Sequence, residues 1–439
     1  MDPKLAALAQ RTIDYALKRG AREAAVSVSR ARFIDLKRRE GKTETLQAST
    51  SRGLSLALYV DGRFSSNATS LLEQPALEDF VDQTLAMTRH LAADPHRYLP
   101  DPELYGPAEG VELDLVDPGY DDLTMDGRQE RVAAAEEAAR QGREGIISVT
   151  TEMVTQASEA LQIHSNGFRG DHHATSYMLG ATVTVRDEDD RRPEDHHWTV
   201  ARHLGDLPAA EGVGREAAER ALGRRGSRKV ESGVMPMVVE NRAAGRLVSA
   251  LLEPLSGAAL QQHRSCFDGK LGEALGSELL TLTDEPLRPR GLGSRLFDGE
   301  GLAARRMPVF EGGRLQSYFI DVYYGRKLGR DPTTGGASNL VLPPGEQDRE
   351  ALLAQVGRGI LVTGFLGGNS NAATGDFSFG VRGYRVEGGK LSHAVGEMNI
   401  TGSLGTLWHG LVAVGDDPYP FSAIRMPTLV FEDVQFSGV

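Results

Sequence analysis

Cysteine is almost missing: Cys266 stands alone among 439 residues. A disulfide framework and thiolate zinc knuckles are therefore excluded, and a reducing compartment, the cytoplasm, is expected. No uninterrupted apolar run approaches the ~18 residues that would cross a bilayer as a helix. The first residues, MDPKLAALAQ, carry charge without a long apolar centre, so they do not read as a signal peptide. A basic excess is missing too. Lys and Arg number 49 against 61 Asp and Glu, a net charge of −12. Such a chain is a poor general binder of nucleic acid or anionic membrane, both of which need a basic face. Arg30, Arg32, Lys37, Arg38 and Arg39 do cluster, and they read as a solvated strand face.

Familiar catalytic motifs are missing as well. There is no G-x-x-x-x-G-K-[ST], no H-E-x-x-H and no C-x-x-C. Gly291-Leu292-Gly293 lacks the third glycine of a dinucleotide loop. Gly375-Asp376-Phe377-Ser378-Phe379-Gly380 is not a nucleophile elbow, because its first glycine lies one residue too far from the serine.

Glycine is abundant, 51 residues, and falls mostly in the second half, which points to turns and close backbone approach. A first helix starts at Asp2-Pro3 and ends at Gly20, with Leu5, Leu8, Ile13 and Leu17 as its apolar stripe. Strands are expected at 25–28, 33–37 and 53–60, the last turning at Asp61-Gly62 into a hairpin. Helices are expected at 75–91, 128–140 and 210–222, and strands at 146–165 and 174–186. Residues 94–121 read as a long surface connection. The second half opens with a strand at 234–239 and a helix at 241–255. Two Gly-Gly hairpins follow, at Gly312-Gly313 and Gly388-Gly389, with a glycine-rich stretch from Gly364 to Gly380 between them. Helices separated by hairpin-linked strands predict an α+β protein of two domains. These are an N-terminal α+β domain over 1–222 and a C-terminal domain of hairpins and a mixed sheet over 234–439, joined by a linker at 223–233.

Metal sites lean on histidine, of which there are 11. His172-His173 and His196-His197 are adjacent pairs. Neighbours on a strand face opposite ways, so no pair chelates alone, although two such strands side by side could present two imidazoles. Polar strand and loop surface is the favoured reading. The acidic run from Arg186 to Asp195 lacks a glycine-centred cation loop and reads as solvated.

Residues 296–415 resemble the TldD/PmbA family. The similarity runs through Leu296-Phe297-Asp298-Gly299-Glu300-Gly301, Arg305-Arg306, Arg326-Lys327-Leu328-Gly329, Gly335-Gly336-Ala337-Ser338-Asn339 and Thr374–Gly380. It continues through Val381-Arg382-Gly383-Tyr384 to Val414-Gly415-Asp416-Asp417. TldD-type members carry H-E-x-x-x-H on a helix after a strand and use it with a late cysteine to hold a catalytic metal. PmbA-type members, also called TldE, lack it. At the matching junction this chain has Asn241 for the first histidine, Arg242 for the glutamate and Arg246 for the second histidine. Guanidiniums are cationic and have no lone pair for a metal. Pro418–Pro427 holds no cysteine. Asn241 is expected to cap the helix.

The resemblance implies a PmbA/TldE-type subunit with no catalytic residue or metal of its own. Zinc is then expected in a TldD-type partner, and the pair would process unfolded peptides in a shared cavity. Gly367, Gly368, Asn369, Gly375, Asp376, Phe377 and Ser378 are the candidate cavity or partner contacts, and self-association stays open. Two alternatives stand beside this reading: a regulatory protein of the gyrase-modulator type, and a self-sufficient hydrolase built on His172 and His197.

Overall fold

The computed structural model describes residues 3–106 and 110–438. The N-terminal part is a six-stranded antiparallel sheet in the order β3-β2-β1-β4-β5-β6. Its strands are β1 (Glu23–Arg39), β2 (Lys42–Val60), β3 (Arg63–Thr69), β4 (Ile146–His164), β5 (Arg169–Val185) and β6 (Glu194–Ala201). Four helices cover it: α1 (Pro3–Lys18), α2 (Gln74–Thr88), α3 (Met125–Arg140) and α4 (Ala210–Leu222). The α1 stripe of Leu5, Leu8, Ala9 and Ile13 packs with Val26, Val28, Leu56 and Leu58 of the sheet. Further along, α3 and α4 present alanines (Ala135, Ala139, Ala217, Ala218, Ala221) to Val149, Leu179 and Val183. Small residues let both helix backbones come close to the strands.

The two short strands expected at 25–28 and 33–37 are one strand, and β2 begins eleven residues before Gly53. The β1–β2 turn is made by Glu40 and Gly41, both at positive φ. Asp61 and Gly62 make the next turn, with φ of 50° and 71°, the left-handed pair that a two-residue hairpin needs. The basic cluster on β1 is neutralised residue by residue. Arg30 meets Glu159, Arg32 meets Asp121, Lys37 meets Glu152, Arg38 meets Glu136 and Arg39 meets Glu44. It offers no uncompensated basic face.

The C-terminal part centres on β7 (Gly233–Val239), β12 (Arg358–Ser370), β13 (Asp376–Glu387), β14 (Lys390–Ser403) and β17 (Leu429–Ser437). These pair in the order β14-β13-β12-β7-β17, with β15 (Leu411–Val414) outside β17. Asn399–Thr401 also pair with Gln435–Ser437, so the five strands close on themselves. The β7–β12 pair is parallel and its neighbours are antiparallel, which makes the sheet mixed. A second, small sheet joins β8 (Leu282–Asp284), β9 (Met307–Glu311), β10 (Arg314–Leu315), β11 (Leu340–Val341) and β16 (Ile424–Arg425). Helix α5 (Asn241–Leu252) follows β7 directly and ends in a 3-10 turn, Glu253–Leu255. Four short helices complete this part: α6 (Gly257–Gln261), α7 (Val322–Leu328), α8 (Arg349–Val356) and α9 (Leu404–His409). The larger core gathers around Trp408, Phe310, Phe379, Phe431 and Phe436, with Leu247, Val248 and Leu251 of α5, and a smaller one packs Leu352 and Leu353 of α8 with Val238, Leu361 and Val430.

The connection after α2 is anchored rather than superficial: Leu99, Leu113 and Leu115 are buried. Tyr323 of α7 donates to Asp94, and Arg326 donates to the carbonyls of Tyr98 and Leu99. Residues 223–233 are likewise tied down. Arg224 bonds the Glu194 carbonyl at 2.5 Å, and the Arg228 amide bonds Ala394 O at 3.2 Å.

Two glycines of α4 test the close packing of α3 on α4. A Cβ on Gly214 would lie 1.9 Å from the Ala135 carbonyl oxygen, whereas one on Gly212 would meet nothing within 4 Å. Helix propensity favours alanine over glycine by up to about 1 kcal/mol, while overpacking costs roughly 1–3 kcal/mol. Gly212→Ala should therefore stabilise the protein and Gly214→Ala destabilise it. Urea denaturation of both variants checks the opposite signs.

Candidate functional site

The motif positions lie where the strand β7 hands over to α5. Glu240 occupies the N-cap position with φ −58° and ψ 140°, and its side chain makes no capping bond. Asn241 is the first helical residue, so the expected cap role falls away. Its side-chain amide donates to the Asp417 carbonyl at 2.7 Å, and its Oδ1 accepts from the Arg242 amide. Asp417 is itself fixed by the Thr428 amide and hydroxyl, both at 2.8 Å.

Arg242 points elsewhere, across to the N-terminal sheet. One of its guanidinium nitrogens donates to the His196 carbonyl at 3.0 Å, and another lies 3.3 Å from His197 Nδ1. An arginine only donates, so Nδ1 accepts and the His197 proton sits on Nε2. Arg246 points a third way. It donates to the Gly368 carbonyl at 3.1 Å and stacks over the Phe379 ring at 4.7 Å. The three positions thus diverge towards three neighbours instead of converging on one point. Two of them are guanidiniums, which hold no metal. Among the described residues no group of three or more His, Cys, Asp or Glu gathers as a metal site would require.

These residues build a charged seam between the two halves of the molecule. Arg220 of α4 forks onto both Glu240 carboxylate oxygens and also reaches Glu216 at 3.1 Å. Arg349 approaches Glu240 at 3.7 Å. Arg382 of β13 donates to Asp195 at 2.9 Å, and Tyr419 donates to the Trp198 carbonyl at 2.7 Å. Asp195 is only 4% exposed, so the end of the acidic run is a buried ion-pair partner rather than solvated loop. Arg382 lies in the segment that carries the family resemblance, Asp195 ends the acidic run and Glu240 sits at the strand-to-helix junction, but none of these signals, nor anything at Arg220 or Tyr419, names a partner. The contacts are made only by the tertiary fold.

The histidine pairs stay apart. β5 and β6 are adjacent, but His196 lies opposite Thr182 and His197 opposite Ala181. His172 is ten positions from Thr182, about 33 Å along a strand. No joint site of His172 or His173 with His196 or His197 forms, and the hydrolase reading built on His172 and His197 loses its geometry.

The glycine-rich stretch is the β12–β13 hairpin. Gly367 and Gly368 sit at φ 126° and 104°, and a Cβ on Gly368 would lie 2.1 Å from the Ser378 carbonyl oxygen. Asn369 pairs with Ser378. Gly367, Gly368, Asn369, Asp376 and Ser378 are exposed. Gly375 and Phe377 are buried: Gly375 turns against Cys266, and Phe377 stacks on Phe379 at 5.2 Å. Those two brace the hairpin from beneath. β7 covers β12 only over Ile360–Val362, so its far half has β13 on one side and the α5 arginine on the other.

Two expectations follow from the seam. Arg220→Met would leave Glu240, 5% exposed, with Arg349 at 3.7 Å in place of a forked partner, and breaking such a buried pair costs roughly 3 kcal/mol. Adding Glu240→Gln should return part of that loss in chemical denaturation. Burial, and then Arg242, hold His197 down to about 4 from its ordinary 6.5. Between those values the unfolded chain takes a proton that the folded chain refuses. Stability is therefore complete above the upper value and is lost as pH falls towards the lower one. Buried His164, also about 4, adds the same sign. His197→Gln should flatten the pH dependence of unfolding across that window, and an unchanged slope would count against this account.

Residues 232–438 match the model of the PmbA/TldA metallopeptidase C-terminal domain, and residues 118–225 match that of the central domain. Metalloprotease PmbA of Escherichia coli O157:H7 is 28% identical, covering 94% of this chain and 92% of its own length. A PmbA homologue of Haemophilus influenzae is 27% identical over 97% and 94%. A crystal structure from Bacteroides thetaiotaomicron, named for a proposed role in modulating DNA gyrase, has a TM-score of 0.97. It is 42% identical and covers 100% of this chain and 99% of that one. TldE from Thermococcus kodakarensis shares the fold, with a TM-score of 0.86 at 20% identity over 98% and 100%. With matched models spanning both halves of the molecule, the chain belongs to the PmbA/TldD family.

Proposed function

We propose that this chain is the metal-free, PmbA/TldE-type subunit of a two-protein metallopeptidase. In this reading it walls one side of a cavity shared with a TldD-type catalytic subunit and acts on unfolded peptides only as part of that pair. One observation carries the reading. The positions that would hold a metal and its general base are held by Asn241, Arg242 and Arg246, each engaged with a different neighbour. A metallopeptidase needs neutral imidazoles on the ion and a carboxylate to take a proton from bound water. Two fixed cations at those places repel a divalent ion. The exposed β12–β13 hairpin, with its glycine backbone and the polar Asn369, Asp376 and Ser378, supports the role of a wall that another chain approaches closely. No residue of this chain takes a chemical step, and zinc belongs to the partner.

The test is peptide cleavage by this chain, by a TldD-type chain and by their mixture, with elemental analysis of the dialysed protein. The expected outcome is no cleavage and no stoichiometric zinc for this chain alone, and altered activity for the mixture. Cleavage by this chain alone, or one tightly held metal per chain, would overturn the proposal. The combined variant Asn241→His, Arg242→Glu, Arg246→His should stay inactive. Positions five apart on a helix lie ~140° around its axis, and two ligands leave zinc weakly held. Zinc affinity and peptide turnover of that variant read the outcome directly.

A further inference from the structure

The motifs at 296–301, Arg305-Arg306 and 335–339 play no part in the proposed function, yet the fold gathers them around one place. Asp298, Arg305 and Arg306 line a cavity of about 250 Å³ together with Asp284, the last residue of β8, and Arg295. The third motif holds this lining in position. The Ser338 amide and hydroxyl both donate to Asp284 Oδ1, at 2.7 and 2.6 Å, and the Gly336 carbonyl accepts from Arg295. Asp298 is occupied by the fold. Its Oδ1 accepts the Glu300 and Leu302 amides, and its Oδ2 accepts the Thr334 hydroxyl, which in turn accepts from Arg295 at 3.2 Å. Arg305 and Arg306, both exposed, stand at the mouth.

Two lining groups are left with unused bonding capacity. Asp284 is 1% exposed, and its second oxygen, Oδ2, accepts no hydrogen bond from a described residue while Oδ1 takes both Ser338 donors. Burial raises this carboxyl, and the Ser338 bonds and the Arg295 charge oppose the rise. Arg295 Nε is buried without a partner, its guanidinium being spent on Thr334 and Gly336. A buried charge or donor left unanswered is costly. A cation alone would answer Asp284 and set like charge beside Arg295, and an anion alone would do the reverse. A ligand bearing both an ammonium and a carboxylate answers the two together. Arg295 is near enough for its charge to act on Asp284 without bonding it, a gap suited to two groups borne on one carbon. The remaining wall is apolar: Leu104, Pro286, Leu302, Met307 and Pro332. The volume lies below the range of drug-sized sites, so the ligand is small.

We propose that this cavity binds a free α-amino acid with an apolar side chain. The ammonium sits on Asp284 Oδ2, the carboxylate on Arg295 with Arg305 at the mouth, and the side chain against Leu302 and Met307. Charge-assisted contacts at both ends fix the orientation. The proposal stands apart from the metallopeptidase reading, since binding is measured on this chain alone and involves neither zinc nor cleavage.

The experiment is isothermal titration calorimetry of the full-length chain with three probes: L-leucine, 3-methylbutylamine, which lacks the carboxylate, and 4-methylpentanoate, which lacks the ammonium. L-Leucine should bind one per chain with a dissociation constant below about 1 mM, and each analogue should bind about 10-fold more weakly or worse. Asp284→Asn keeps an acceptor for Ser338 and removes the charge. It should weaken leucine about 10-fold and leave 4-methylpentanoate unchanged. Arg305→Glu alters an exposed side chain, so it keeps the fold even where Asp284→Asn does not. It should weaken leucine and 4-methylpentanoate and spare 3-methylbutylamine. No saturable leucine binding, three probes of equal affinity, or leucine binding that neither variant weakens would each overturn the proposal.

Discussion

Glu240 holds the two halves of the molecule in register. It closes β7, opens α5 and takes the Arg220 guanidinium from the N-terminal half, with Arg349 behind it. A carboxylate this buried is tolerable only when it is paired and hydrogen-bonded. Once Arg220 is committed to Glu240, α4 is fixed against the strand-to-helix junction. Asp195 then meets Arg382, and the His196-His197 strand comes within reach of Arg242. The seam is a chain of such pairs. It explains why β6, short and polar in sequence, is an ordered sheet edge: its neighbour on the open side is the other half of the protein.

The proposed function sets this junction against a metal centre, and the two uses are incompatible. A metal centre needs groups that converge on a point and donate lone pairs. The seam needs donors that diverge and bridge. Asn241, Arg242 and Arg246 do the second, reaching Asp417, His196 and Gly368 in turn. Neutral His197 fits this arrangement, since a protonated ring would face the Arg242 guanidinium with both of its nitrogens donating.

What was legible in the sequence was local. Helix α1 announced itself through its apolar spacing, and the turns at Asp61-Gly62, Gly312-Gly313 and Gly388-Gly389 through residues that accept positive φ. The first half of β2 was not legible, because Lys42–Arg52 shows no alternation of apolar and polar residues. Neither of its faces is buried, so nothing imposes a period of two. The site was half legible. The positions of Asn241, Arg242 and Arg246 at a strand-to-helix junction could be read from the chain. The seam could not, because Asp195 and Arg382 are 187 residues apart and their pairing exists only in the folded chain. Asp195 looked solvated for the same reason: its neighbours in sequence are charged, while its neighbour in space is a guanidinium.

The fasteners at Arg242 and Arg246 also constrain the sequences this fold can reach by single substitutions. Replacing Arg242 alone unties the N-terminal sheet from α5 before any ligand exists, and replacing Arg246 alone uncovers Phe379 and the Gly368 carbonyl. Every intermediate loses a bridge and gains no metal. The arrangement therefore acts as a ratchet. A chain that has committed these positions to joining its two halves would lose a fastener at each step towards a set of metal ligands, whatever is selected at the site itself.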